Sequence, residues 1–351
     1  GAMVFFDASN PDPRRRIVLL LKPVDPEIDV WDGYRDLVSE KLRKKTGFET
    51  VMRVYALPRL LTEAATRTKR LACLHPFAAY SRPVSKDLEL FQKVSARIPG
   101  CAIEDKTDLV LNLRGVKSAA EIKQIKEAIK ATAHGIECLM GKLRDGVNER
   151  ELHNALVGGF AESGALRNGF NPIVGAGMNG TVLHYKDNNC VANDGDLMVL
   201  DCGASIAGYS ADITRGIPIS GKFTKRQAKI YNIVLKAQKA AIKVIKPGAT
   251  LAQADAAARK IITDAGFGDF YPHGIGHHLG LETHDPSPTG KLREGMVVTI
   301  EPGIYLPEEG IGVRIEDDIL VTSTGSRNLS SMIPKTVEEI ESAIATARKK
   351  K

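Results

Sequence analysis

At 351 residues, with 43% apolar and 26% charged residues, the chain is long enough for two domains and apolar enough to bury a core, which excludes disorder as its main state. No apolar run approaches the ~18 residues that a membrane span needs. The net charge of +7 is spread over surface Lys and Arg, and the dense basic runs at 14–16, 41–45 and 348–351 contain no interleaved aromatics, so neither nucleic acid nor membrane is expected as a partner.

Residues 1–113 read as a small α/β domain. Ile17–Leu21 is a short apolar run expected to form a buried strand. Helical spacing of Tyr34, Leu37, Val38 and Leu42 predicts a helix over 32–45 that stops near Gly47. Two more helices are expected over 60–70 and 86–97. His75-Pro76 reads as a turn, and no catalytic cluster falls in this part. Arg114-Gly115-Val116 marks the boundary to a second domain, 117–351, which opens on an amphipathic helix over 117–143 carrying Ile122, Ile125, Ile129, Ile136, Leu139 and Met140. His134 within it reads as structural, with no metal-type partner expected one helical turn away. The five cysteines (Cys73, Cys101, Cys138, Cys190, Cys202) are odd in number and form no CxxC pair, which fits a reducing compartment and a cytoplasmic location. No signal peptide is visible.

The second domain contains an internal echo at an offset of about 100 residues. Asn148 with Glu151, and Thr250 with Gln253, resemble capping boxes that open two helices ending at Gly164 and Gly266. Apolar strands then run into Asp201-Cys202-Gly203 in one half and Glu301-Pro302-Gly303 in the other. Each is followed by a second strand, carrying Asp212 in Ala-Asp-Ile-Thr-Arg and Glu316 in Arg-Ile-Glu-Asp-Asp. Two such hairpins packed about a pseudo-two-fold axis would bring four carboxylates together.

Four converging carboxylates cannot all stay ionised without compensating cations, and two divalent metals would supply them. A nitrogen ligand is available in the glycine-rich segment 272–285, which holds His273, His277, His278 and His284, half of the eight histidines. Its glycines discourage a regular helix.

With these motifs in order, the sequence resembles the pita-bread metallopeptidases, which include methionine aminopeptidase, Xaa-Pro aminopeptidase and Xaa-Pro dipeptidase. His-His-Leu-Gly-Leu-Glu-Thr-His-Asp, Glu-Pro-Gly-Ile-Tyr and the N-terminal domain favour the Xaa-Pro branch. The resemblance implies an α/β (α+β) protein with a C-terminal pita-bread fold. It also implies two divalent ions per chain, Mn2+ first, with Zn2+ or Co2+ as alternatives.

In the implied roles Asp201 chelates one ion, His277 and Glu301 the other, and Asp212 and Glu316 bridge both. The ions activate a bridging water, and Glu301 carries a proton toward the leaving nitrogen. His184, His273 and His284 surround the substrate, Tyr305 and Arg314 orient carboxylates, and His278 is wall or structure. The implied substrates are peptides with proline at the second position, and the implied assembly is a homodimer formed through the N-terminal domain. A short connection between 303 and 314 leaves the far end of the substrate open, which favours an aminopeptidase over a dipeptidase. The reading from another class is a non-catalytic binding protein of the same fold.

Overall fold

The structure, a computed structural model, describes residues 2–75, 83–288 and 290–350. The chain divides into two compact units, Gly1–Val110 and Leu111–Lys351. The helix Thr107–Gly115 crosses the division.

In the first unit Ile17–Leu21 is the central strand, antiparallel to Met3–Phe6 and parallel to Thr50–Arg53. A second, parallel pair joins Arg70–Cys73 to Ala102–Asp105. The helix Leu57–Thr68 buries Leu60, Leu61, Ala64 and Ala65, one apolar face at i, i+1, i+4 and i+5, and Leu60, Leu61 and Ala64 pack with Val18 and Leu20 of the sheet. The helix expected over 60–70 therefore starts earlier, and the one expected over 86–97 is Lys86–Ser95.

The single helix expected over 32–45 is instead two. Asp25 caps Pro26–Asp32, which ends at Gly33 with φ 91°, and Ser39 caps Glu40–Thr46, which ends at Gly47 as expected. Two capping signals and an intervening glycine override the periodicity. His75 pairs with Asp87 through Nδ1 at 2.8 Å, whereas Pro76 lies outside the described residues.

In the second unit, the long helix is Ala119–Met140, shorter than the expected 117–143 because Ser118 and Glu121 form a capping box at its start. Its buried stripe, Ile125, Ala128, Ile129, Thr132, Ile136 and Leu139, faces the core, where each fully buried Ile or Leu contributes about 1.5–3 kcal/mol. Among the described residues no helix is long and apolar enough to cross a membrane.

The echo extends through the whole unit. Ala119–Met140 packs on Glu149–Glu162 in one half, and Lys225–Val244 packs on Leu251–Asp264 in the other. Thr250 and Gln253 form both arms of their capping box. Asn148 caps through the Arg150 N–H, while Glu151 pairs with Arg144.

Leu197–Cys202 runs antiparallel to Ile213–Pro218, with Ala204–Ile206 and Tyr209–Ser210 forming a hairpin between them. Val297–Ile300 runs antiparallel to Asp317–Val321, with Gly303–Leu306 and Ile311–Arg314 between. So Asp212 and Glu316 lie just before their strands rather than within them. Each stands where the chain turns from the inner hairpin back to the outer pair.

The two halves differ at one position that matters. Ile173–Ala176 is a regular strand on Leu197–Cys202. The corresponding place in the second half is taken by the histidine-rich segment. It pairs with its strand through Glu301 N–H to the Ile275 carbonyl (2.8 Å), Thr299 N–H to the His277 carbonyl (2.8 Å) and Leu279 N–H to the Val297 carbonyl (3.0 Å).

Candidate metal centre

Strand ends and turns from both halves line a cavity of about 620 Å³. Asp201 comes from the end of Leu197–Cys202, and Glu301 follows directly on Val297–Ile300. Asp212 and Glu316 come from the turns, and His277 from the histidine segment; all five line the cavity. His184, His273, His284 and Arg314 line it too. Tyr305 stands behind the wall, touching His273 and Arg314. The fold thus gathers every site residue that the sequence singles out.

The backbone ladder fixes His277. Its N–H donates to Thr299 Oγ1 at 3.1 Å, and its Nδ1 faces the His278 carbonyl at 3.0 Å. With Nδ1 carrying the proton, the Nε2 lone pair faces Asp212 Oδ2 at 3.4 Å and Glu301 Oε1 at 3.6 Å. Burial, reinforced by His284, pushes His277 down to about 4, so the ring is neutral at pH 7. Gly276 makes the ladder possible: a Cβ there would lie 2.1 Å from the Thr299 carbonyl oxygen, and its φ is 153°. Gly276→Ala is therefore expected to displace His277 and lose bound metal while the helices stay folded. Metal analysis beside far-ultraviolet circular dichroism checks this, and full metal content in the variant would contradict it.

The carboxylates are crowded. Burial pushes Asp212 well above the usual range, with Glu316, Asp201 and Glu301 acting in the same direction. Glu316 is driven up by burial and by Glu301 and Asp201, and Glu301 rises to about 7 mainly through burial. Asp201 Oδ1 and Glu316 Oε1 are buried without a hydrogen-bond partner. One ligand atom each from Asp212, His277 and Glu316 lies within 4.8 Å of the others. Orphaned anionic oxygens around a neutral imidazole fit divalent cations, which would offset both the repulsion and the desolvation.

The supporting contacts cross between the halves. Arg314 donates to Asp201 Oδ2 at 2.6 Å, to the Tyr305 hydroxyl at 2.8 Å and to Thr214 Oγ1 at 3.3 Å. Thr214 in turn donates to Glu316 Oε2 at 2.7 Å. Arg215, fully buried, donates to the Glu316 carbonyl at 2.6 Å and to Asp317 Oδ1 at 2.8 Å. His273 has Nδ1 at 2.9 Å from the Gly274 carbonyl and Nε2 at 2.9 Å from the Tyr305 hydroxyl, so both of its nitrogens are engaged within the protein. His284 stacks on His277 with ring centroids 3.8 Å apart. His278 acts through its backbone, accepting from His277 and bridging to Val298.

Sequence reasoning does not single out Thr214, Thr299, Arg215 or Glu149. Glu149 is fully buried and accepts from the N–H groups of Ala176 (2.9 Å) and Cys190 (3.0 Å), the Asn179 amide (3.0 Å) and the Tyr185 hydroxyl (2.8 Å). It thereby anchors the loop that carries His184. The one available signal is position: Thr214 and Arg215 sit inside the Ala-Asp-Ile-Thr-Arg motif.

The sequence model of metallopeptidase family M24 matches residues 123–323, a span that contains all five ligand-type side chains. The chain belongs to metallopeptidase family M24. Among M24 relatives, the Xaa-Pro aminopeptidase of Escherichia coli is 36% identical over 97% of this chain and 85% of its own length. The Xaa-Pro dipeptidase of Pyrococcus horikoshii is 39% identical, but over 64% of this chain and 64% of its own length. The structure of zinc-substituted Escherichia coli aminopeptidase P in complex with product superposes with a TM-score of 0.84 at 30% identity, covering 95% of this chain and 83% of that one. The fold of this M24 peptidase is the pita-bread fold of those structures, and its activity class is metallo-aminopeptidase.

Proposed function

We propose that this M24 peptidase removes the first residue from peptides with proline at the second position, using two divalent ions held by Asp201, Asp212, His277, Glu301 and Glu316. The observation that carries the reading is the convergence of these five side chains in one cavity. The match to a Xaa-Pro aminopeptidase over nearly the whole chain, first unit included, supports the substrate class.

In this reading Asp201 would hold one ion and His277 with Glu301 the other, and Asp212 and Glu316 would contribute to holding both. Ions so held would polarise the scissile carbonyl and acidify water. An oxygen-rich set with one imidazole suits Mn2+, with Zn2+ or Co2+ able to substitute. Arg314 and Thr214 hold Asp201 and Glu316 in place from the opposite half. Glu301 would carry a proton to the proline nitrogen as it leaves. His184 and His284, exposed at the cavity, donate hydrogen bonds to the substrate. His273, tethered by Tyr305, presents its ring to the scissile region. The amide before proline has no N–H, so recognition rests on the free amine, the carbonyl and the ring.

The connection 303–314 is a closed hairpin turning at Pro307–Glu309, with no inserted loop. This supports peptides longer than two residues. We further propose a homodimer through the first unit, where Val30, Trp31, Tyr34 and Leu37 are exposed, and a reducing, cytoplasmic setting, consistent with five free cysteines.

The test compares a Xaa-Pro-Xaa tripeptide, a Xaa-Pro dipeptide and a Xaa-Ala-Xaa control. Preferred release of the first residue from the tripeptide is expected. Preference for the dipeptide would favour Xaa-Pro dipeptidase, and no hydrolysis by the metal-loaded protein would favour a binding role.

A further inference from the structure

We propose that His134, Cys138 and Glu162 form a second metal site, suited to Zn2+, on the helix pair Ala119–Met140 and Glu149–Glu162. The expectation that no metal-type partner lies one turn from His134 is wrong, and the structure corrects it. Cys138 is that partner, with its sulfur 3.7 Å from His134 Nε2. Glu162 Oε2 lies 3.0 Å from the same nitrogen, and one ligand atom from each of the three residues falls within 4.8 Å of the others.

Zinc bonds of about 2.0–2.2 Å to nitrogen and oxygen and about 2.3 Å to sulfur place tetrahedral ligands roughly 3.3 Å apart for N and O and roughly 3.5 Å for N and S. The observed separations differ from these by a few tenths of an ångström, within the reach of small side-chain adjustments.

The helix packing builds the cluster. Gly135 and Gly159 let the two helices touch: a Cβ on Gly159 would lie 2.7 Å from Gly135 Cα and 3.0 Å from the Cys138 sulfur. This contact sets the end of the second helix against the first. Glu162 is the last residue of its helix, where the negative end of the helix dipole also favours a cation. None of the three residues lines the large cavity. His134 and Glu162 are 42% and 69% exposed in their side chains, so solvent can supply the fourth ligand.

A thiolate beside an imidazole selects zinc-like ions, in contrast to the oxygen-rich donors of the cavity. Binding replaces the Cys138 thiol proton with the metal bond and releases that proton to solvent.

Co2+ reports on this site separately from the cavity, whose donors are oxygen and nitrogen. The metal-stripped 351-residue chain is titrated with Co2+, and a near-ultraviolet thiolate-to-cobalt absorption is expected, bleached by added Zn2+. Cys138→Ser should abolish that absorption, and His134→Ala and Glu162→Gln should weaken the Co2+ affinity behind it by at least about ten-fold. Peptidase activity should stay at the parent level in all three variants. Absence of the absorption in the parent, its persistence in Cys138→Ser, or parental Co2+ affinity in both His134→Ala and Glu162→Gln would overturn the proposal. Glu162 is exposed, so its variant keeps the test informative if a helix-face substitution perturbs folding.

Discussion

Asp212→Asn and Glu316→Gln are each expected to lose at least one bound metal ion, and to lose more kcat/KM than the ~10²–10³-fold typical of one missing transition-state donor. Both acids are buried, their charge is opposed by neighbouring carboxylates, and only cations make their ionised forms favourable there. A neutral amide cannot balance two dications. The sign of the stability effect is opposite. An acid whose folded pKa is raised destabilises the fold above its unfolded pKa, so at pH 7 the metal-free variants should melt no lower than the metal-free parent. Metal analysis, steady-state kinetics and thermal melts together separate ligand loss from misfolding. Wild-type turnover with full metal content in either variant would remove these residues from the centre.

The four cavity histidines should divide into two behaviours. His277→Ala is expected to lose metal, because its Nε2 alone among the histidines is held against both Asp212 and Glu301. Alanine at His184, His273 or His284 should leave metal content near that of the parent; kcat/KM should fall by about 10²–10³-fold at His184 and His284, which donate to the substrate, and fall at His273 through loss of the ring that Tyr305 holds. His273 is the sharpest control. Its nitrogens are taken by the Gly274 carbonyl and the Tyr305 hydroxyl, so it has no lone pair turned toward the acids. Loss of metal in His273→Ala with retention in His277→Ala would exchange their roles.

Much of this site is legible in the repeat itself. Acidic residues abutting apolar runs at an offset of about 100 residues imply convergence, and the glycines around His277 disfavour a helix. What the sequence hides depends on contacts made across the pseudo-two-fold. Thr214 and Glu316 are 102 positions apart, and Arg215 reaches Glu316 over 101, so no local pattern marks them. Glu149 reads in sequence only as the neighbour of a helix cap, because its four partners lie 27 to 41 positions away. The helix break at Gly33 is of another kind. Its signals, Asp25-Pro26 and Ser39, are present in the sequence but are outweighed by an apolar spacing that runs across the glycine. Cys138, one turn from His134, is likewise visible, but its meaning depends on Glu162 arriving from the neighbouring helix.

The most direct test of the central claim is the hydrolysis of a Xaa-Pro-Xaa peptide by the 351-residue chain, stripped by a chelator and then titrated with Mn2+, an ion poorly suited to the thiolate-bearing cluster on the helices. The stripped protein should be inactive, and activity should return and saturate at two Mn2+ per chain. Full activity after exhaustive chelation, with no metal detectable by elemental analysis, would contradict the account.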